Sequence, residues 1–124
     1  FSYWVNQEIE KIRNQENTPI DFFPDFLHRG FYYEQLERYY QFFPVENILV
    51  IEHRELKNNR ISTLRKIEQF LNISYVDWNT INLDDKFVSQ YNVKLPSDIR
   101  NKLKAFFKPY NEKFYKLIKR NFDW

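Results

Sequence analysis

The stretch "FFPVENILVIEHREL", residues 42–56, decides how this chain is read. Its centre, Ile48-Leu49-Val50-Ile51, is a short continuous apolar run bounded by polar residues. Such a run predicts a strand buried on both faces, the usual condition in a parallel sheet. Nearly everything else in the chain reads as helix. One buried strand cannot satisfy its own backbone amides and carbonyls. Its partners therefore belong either to sequence outside this chain or to a second copy.

Working outward, residues 2–16 carry Val5, Ile9 and Ile12 at helical spacing among charges, which predicts an amphipathic helix. "NTPIDFFPDF" follows as an aromatic loop with two prolines. Gly30 opens a second predicted helix, with Tyr32, Leu36, Tyr39, Tyr40 and Phe43 on one face, and Pro44 ends it. Beyond the strand, "KNNR" turns the chain. A third helix presents Ile61, Leu64, Ile67, Phe70 and Leu71 as its apolar seam. Residues 72–94 read as a long loop, and long loops in compact domains are often functional. Pro96 stands at the start of the final helical stretch, with Ser97 or Asp98 placed to cap it. Its seam runs from Ile99 through Phe106 and Phe114 to Ile118, and Pro109 predicts a break within it. The order is helix, helix, strand, then three helices.

The composition sets bounds on function. Lys+Arg 19 against Asp+Glu 17 leaves a net charge of +2, too small for a general polyanion binder, so nucleic acid is not the expected partner. Aromatic residues reach 20%, which supplies both core volume and ring faces. The chain has one glycine, so no Gly-rich phosphate loop is built within it. It has no cysteine, which excludes disulfides, thiol catalysis and thiolate metal sites, and a cytoplasmic location is the expectation. No apolar run approaches the roughly 20 residues of a membrane span.

Two long segments carry a family resemblance. "RGFYYEQLERYYQFFPVENILVIEHRELKNNRISTLRKIEQFLNI" resembles the second half of the sulfotransferase domain, as found in heparan-sulfate-type and related bacterial members. There an aromatic-rich helix runs to "FP", then a hydrophobic strand, then "E-L", then a helix closing on "FL". "LPSDIRNKLKAFFKPYNEKFYKLIKRNFDW" resembles the group's C-terminal signature, a helix ending in P-x-N-x-K-x-Y and a final G-R-D-F-G-W. The resemblance implies an α/β fold. Residues 1–124 would be the C-terminal portion of a single P-loop-like sulfotransferase domain, mostly helical, with one central parallel strand near 47–52. The N-terminal part that binds the 5′-phosphosulfate would precede it.

The resemblance also implies a function: sulfuryl transfer from 3′-phosphoadenosine 5′-phosphosulfate to a hydroxyl or amine, without a metal. A sugar or lipid hydroxyl is the favoured acceptor, and this chain alone is expected to be inactive. Family members carry a 3′-phosphate-binding serine at the start of a helix, followed by an aromatic, and "FSYW" matches it with Ser2. A helix N-terminus favours phosphate. The same Ser2 would otherwise act simply as a helix cap. The loop "DDKFVSQYNVKLP" falls where the family closes over the 3′-phosphate and adenine, which makes Lys86 and Ser89 candidate contacts. The alternative for these two is a solvated loop lysine and a turn serine.

No catalytic residue or metal ligand is assigned within the chain. His28 and His53 lack an acid–base partner at a readable spacing and are assigned to surface or packing roles. Lys113, Lys116, Lys119 and Arg120 are read as a solvated helix face. The rival reading is a non-catalytic helical interaction module, or a degenerate relic of the enzyme. Under the main reading, self-association through the unpaired strand is the expectation for the chain by itself.

Overall fold

The computed structural model describes residues 1–14, 26–84, 94–122 and 124. The helices are α1 (Ser2–Asn14), α2 (Tyr32–Tyr40), α3 (His53–Asn58), α4 (Arg60–Leu71) and α5 (Ser97–Ile118), with short 3₁₀ turns at His28–Gly30, Val45–Asn47 and Trp78–Thr80. The chain divides into two compact units, Phe1–Phe42 with Val93–Trp124, and Phe43–Asn92.

The first unit contains every buried apolar side chain of the described residues. In α1, Val5 and Ile9 are buried and Ile12 is partly so, as their spacing requires, and they meet Ile99 and Phe106 of α5 in one core. The Glu8 carboxylate accepts the Leu27 amide at 2.7 Å, and Lys102 Nζ donates to Asn6 Oδ1 at 2.5 Å. Phe31 is the hub. Its ring stacks on Tyr110 at 4.4 Å and packs against Phe107 at 5.9 Å and Phe106 at 6.1 Å. Gly30 is required by close approach, because a Cβ there would lie 2.6 Å from the Phe107 ring. Gly30 ends the 3₁₀ turn rather than opening α2, which starts two residues later.

Two expectations for the last helix need correction. α5 is one unbroken helix of 22 residues, with Pro109 inside it and no break. Pro109 removes one amide, but each flank is anchored by its own packing, Phe106 in the core with Phe31 and Phe114 against Tyr32, Phe122 and Trp124, and packing overrides the local cost. Neither Ser97 nor Asp98 caps the helix by a side-chain hydrogen bond. Pro96 occupies the capping position, and its carbonyl accepts the Arg100 amide at 3.0 Å.

The helix ends with Lys119 in the left-handed region at φ 53°, and the Arg120 amide reaches back to the Tyr115 carbonyl at 3.2 Å. This is the bond pattern that usually places glycine at the turn. The resembled signature has glycine at this point, and this chain has lysine. Left-handed geometry costs a residue with a Cβ roughly 1–2 kcal/mol. Lys119→Gly is therefore expected to stabilise the chain by about 1 kcal/mol in urea denaturation. No gain would mean that the lysine side chain offsets its strain by its own contacts.

In the second unit α3 and α4 pack together, separated by Asn59 alone, so the expected "KNNR" turn is mostly helix. The α4 seam is covered only in its middle: Leu64 and Ile67 are half-buried, Ile61, Phe70 and Leu71 are exposed, and the fully buried residues are Thr63 and Glu68. Thr63 Oγ1 donates to the carbonyls of Glu55 and Asn59, at 3.1 and 2.9 Å, and closes the α3–α4 corner. α4 ends on Asn72 in the left-handed region at φ 51°, with the Ile73 amide bonded to the Glu68 carbonyl at 3.1 Å.

Residues 48–52 form no paired strand, and no strand occurs among the described residues. The backbone at Ile48 is extended, with φ −126° and ψ 114°, so the local conformation follows the apolar run. The burial does not, since Leu49 is 38% exposed. A strand is a property of a pair, and among the described residues none lies beside it.

Candidate functional site

Three places combine chemistry with geometry. The first is the start of α1. The Val5 amide bonds the Phe1 carbonyl at 3.1 Å, so Ser2 sits in the first turn of the helix rather than at its cap. Ser2 is half-buried, and its hydroxyl has no hydrogen-bond partner among the described residues. The first amides of a helix point outward at the positive end of its dipole. A hydroxyl and open amides at that end can accept one phosphate group. Phe1, Tyr3 and Trp4 expose ring surface around it. Lys86 and Ser89 lie outside the described residues.

The second is a cavity of about 700 Å³ within the first unit. One wall is the outer face of α5, where Arg100, Lys104, Lys108, Asn111 and Tyr115 recur at helical spacing. The opposite wall is Gly30 and Tyr32, and Trp124 closes one end. Trp124 is fixed by stacking on Phe114 at 5.9 Å and Phe122 at 5.0 Å. Arg100, Lys104 and Lys108 make no ion pair among the described residues. The sequence reading did not single out this trio, and the cations it did discuss, Lys113, Lys116, Lys119 and Arg120, it assigned to a solvated helix face. Of those, Lys113 lies over the Tyr33 ring at 5.9 Å and Arg120 over Phe122 at 4.8 Å. The i, i+4, i+8 cation row was visible in the sequence, but the wall facing it was not.

The third is Glu68 in the second unit. Its carboxylate accepts the Val76 amide at 2.7 Å, Trp78 Nε1 at 2.9 Å and Arg65 Nη1 at 2.8 Å. Burial pushes the carboxyl up, but the Val76 amide, the Arg65 guanidinium and the Trp78 indole outweigh it and hold it below the usual glutamate value. Every oxygen is used, so this group anchors the segment after α4 rather than offering a free base.

His28 packs edge-on against Phe31 at 5.3 Å, with Nδ1 3.9 Å from Glu8. His53 begins α3 and is exposed. Among the described residues no group of three His, Cys, Asp or Glu could hold a metal, and no helix is long and apolar enough to cross a membrane.

A helix opening at a phosphate-compatible serine, followed by an aromatic helix and an extended apolar segment, defines a class. The sulfotransferase domain family model matches residues 1–81, and the chain belongs to that family. It is similar to the "Membrane-associated sulfotransferase kil1" of Dictyostelium discoideum, at 33% identity over 79% of this chain and 20% of that protein. It is also similar to "Heparan sulfate glucosamine 3-O-sulfotransferase 5" of Homo sapiens, at 25% identity over 75% of this chain and 32% of that protein. The mouse protein of the same name matches at 24% identity. The chain spans between a fifth and a third of the length of these relatives.

Proposed function

We propose that the protein carrying this chain transfers a sulfuryl group from 3′-phosphoadenosine 5′-phosphosulfate to a hydroxyl or amine, and that this chain holds the donor's 3′-phosphate. The observation that carries the reading is Ser2. It lies inside the family match, at the mouth of a helix, with its hydroxyl uncommitted among the described residues. In such a reaction the protein mainly positions an in-line attack and neutralises oxygen charge. Ser2 and the α1 amides would fix the donor at its 3′ end and leave the sulfuryl group to residues outside this chain. The similarity to a heparan sulfate enzyme supports a sugar hydroxyl as the acceptor.

The exposed apolar surface of the second unit supports the same reading. Phe43, Val45, Leu49, Ile61 and Leu71 are all exposed, in a unit with no buried apolar residue among those described. Patches of this kind mark surfaces that another element covers. We read residues 47–52 as the central strand of the α/β sheet, paired with strands of the same domain. By this reading the 124-residue chain alone turns over no acceptor.

Adenosine 3′,5′-bisphosphate is the probe. A hydrogen bond to a charged phosphate contributes about 1.5–3 kcal/mol. In the protein carrying this chain, Ser2→Ala is expected to weaken its binding roughly ten- to a hundredfold. Adenosine 5′-monophosphate should be little affected. Calorimetric titration of both nucleotides separates the outcomes. Equal losses for the two would reduce Ser2 to a structural residue of the helix end.

A further inference from the structure

The cavity along α5 is lined without Ser2, and its chemistry points to a ligand of its own. We propose that it binds a small anionic amphiphile, with the charged head at Arg100 and Lys104 and the apolar body lying toward Tyr115 and Trp124.

Size and lining come first. About 700 Å³ is within the usual range of small-molecule sites, which are mostly apolar with a few placed polar groups. The interior is carbon: Leu95, Leu103, Phe107 and the rings of Tyr32, Tyr115 and Trp124. The Phe107 ring can form this floor because Gly30 has no Cβ to push it away. The walls are braced, since Phe107 packs on Phe106 at 5.1 Å and Trp124 on Phe114 at 5.9 Å.

Charge then sets direction. Arg100, Lys104 and Lys108 stand on one rim, about 6 Å apart by helix rise. Glu112 and Asn111 lie further along the same groove. The field therefore runs from three cations uncommitted among the described residues to one carboxylate, and an anionic head is drawn to the Arg100 end. Asn111 can bond a polar group part-way along the body. Three exposed cations spread over about 12 Å do not converge on one small inorganic anion. A hydroxyl-rich sugar ring would leave several hydroxyls unpaired against Leu95, Leu103 and Phe107, which is costly.

The test uses decanoate and decanol, which share a tail and differ in charge, each below its aggregation limit. Amide chemical shifts of the full chain locate the binding. Decanoate is expected to shift residues 100–112 saturably and to bind about tenfold or more tightly than decanol, through screened contacts to two cations. The double variant R100E/K104E, at two exposed positions, should remove that advantage and leave decanol binding unchanged. Added salt should weaken decanoate alone. Equal affinity for the two ligands would reduce the cavity to an unspecific apolar surface and overturn the proposal. Shifts confined to residues 43–84 would overturn it too. So would a doubling of apparent mass with the same face perturbed, which means a second copy, or binding to anionic vesicles without binding to monomeric decanoate. Retained decanoate binding in S2A keeps this site separate from the donor reading, whichever way that reading falls.

Discussion

Phe31→Ala is expected to cost about 3–5 kcal/mol, the usual cost of truncating a large aromatic in a core. A domain of this size has about 5–15 kcal/mol in total, so the variant stands at the edge of unfolding. The magnitude follows from position. Phe31 is buried and touches Phe106, Phe107 and Tyr110 of α5 and His28 of its own turn. Its removal strips four rings of a shared partner. Phe31→Leu should cost about 1–1.5 kcal/mol, because volume is nearly kept. Tyr110→Phe keeps the stacked ring, which distinguishes ring packing from any role of the hydroxyl. Urea denaturation followed by circular dichroism gives all three. A cost below about 1 kcal/mol for Phe31→Ala would show that α2 is not held to α5 through this ring.

The second large effect lies at Glu68. Its carboxyl is held below its ordinary value when folded, so its stabilising contribution is complete above the unfolded value of about 4.3 and is lost as pH falls through the folded value. Protonation takes an acceptor from Val76, Trp78 and Arg65 at once. The segment after α4 should therefore loosen in acid before the first unit does. Trp78 fluorescence, read with Trp4 and Trp124 replaced by Phe, should move to longer wavelength below about pH 4. Glu68→Gln should show the loosened spectrum already at pH 7 and lower the melting temperature by roughly 5 °C or more. A glutamine can still accept one bond, but it cannot pair with Arg65. Glu68→Gln with an unchanged Trp78 spectrum and melting temperature would make the network incidental.

Much of the first unit was legible in the sequence. Val5, Ile9 and Ile12 announce the buried face of α1 by spacing alone, and the structure buries that face. The α5 seam was equally clear at Ile99, Phe106 and Phe114. These residues succeed as signals because an amphipathic helix buries the face its period defines, whatever covers it. The family was legible as well, because it is written in the order of aromatic helix, apolar run and C-terminal signature. Ser2 was named from that pattern, and its place in the first turn of α1 follows from local backbone bonding.

What only the tertiary structure decided has a common physical cause: it depends on partners far away in sequence. Pro109 reads as a helix breaker, yet Phe106 on one side packs on Phe31 and Phe114 on the other packs on Tyr32 and Trp124, and these distant contacts carry the helix across it. Ile61 and Leu71 read as core, yet α4 buries Thr63 and Glu68, because three donors converge on one carboxylate and two carbonyls on one hydroxyl. The wall of Gly30 and Tyr32 that faces α5 lies about 70 residues before Arg100 in the chain, and no local spacing encodes it. Residues 48–51 mark the boundary most clearly. Their apolar, β-branched run sets an extended backbone at Ile48 by itself. Pairing and burial of that run need a neighbouring strand, and among the described residues none is there to provide it.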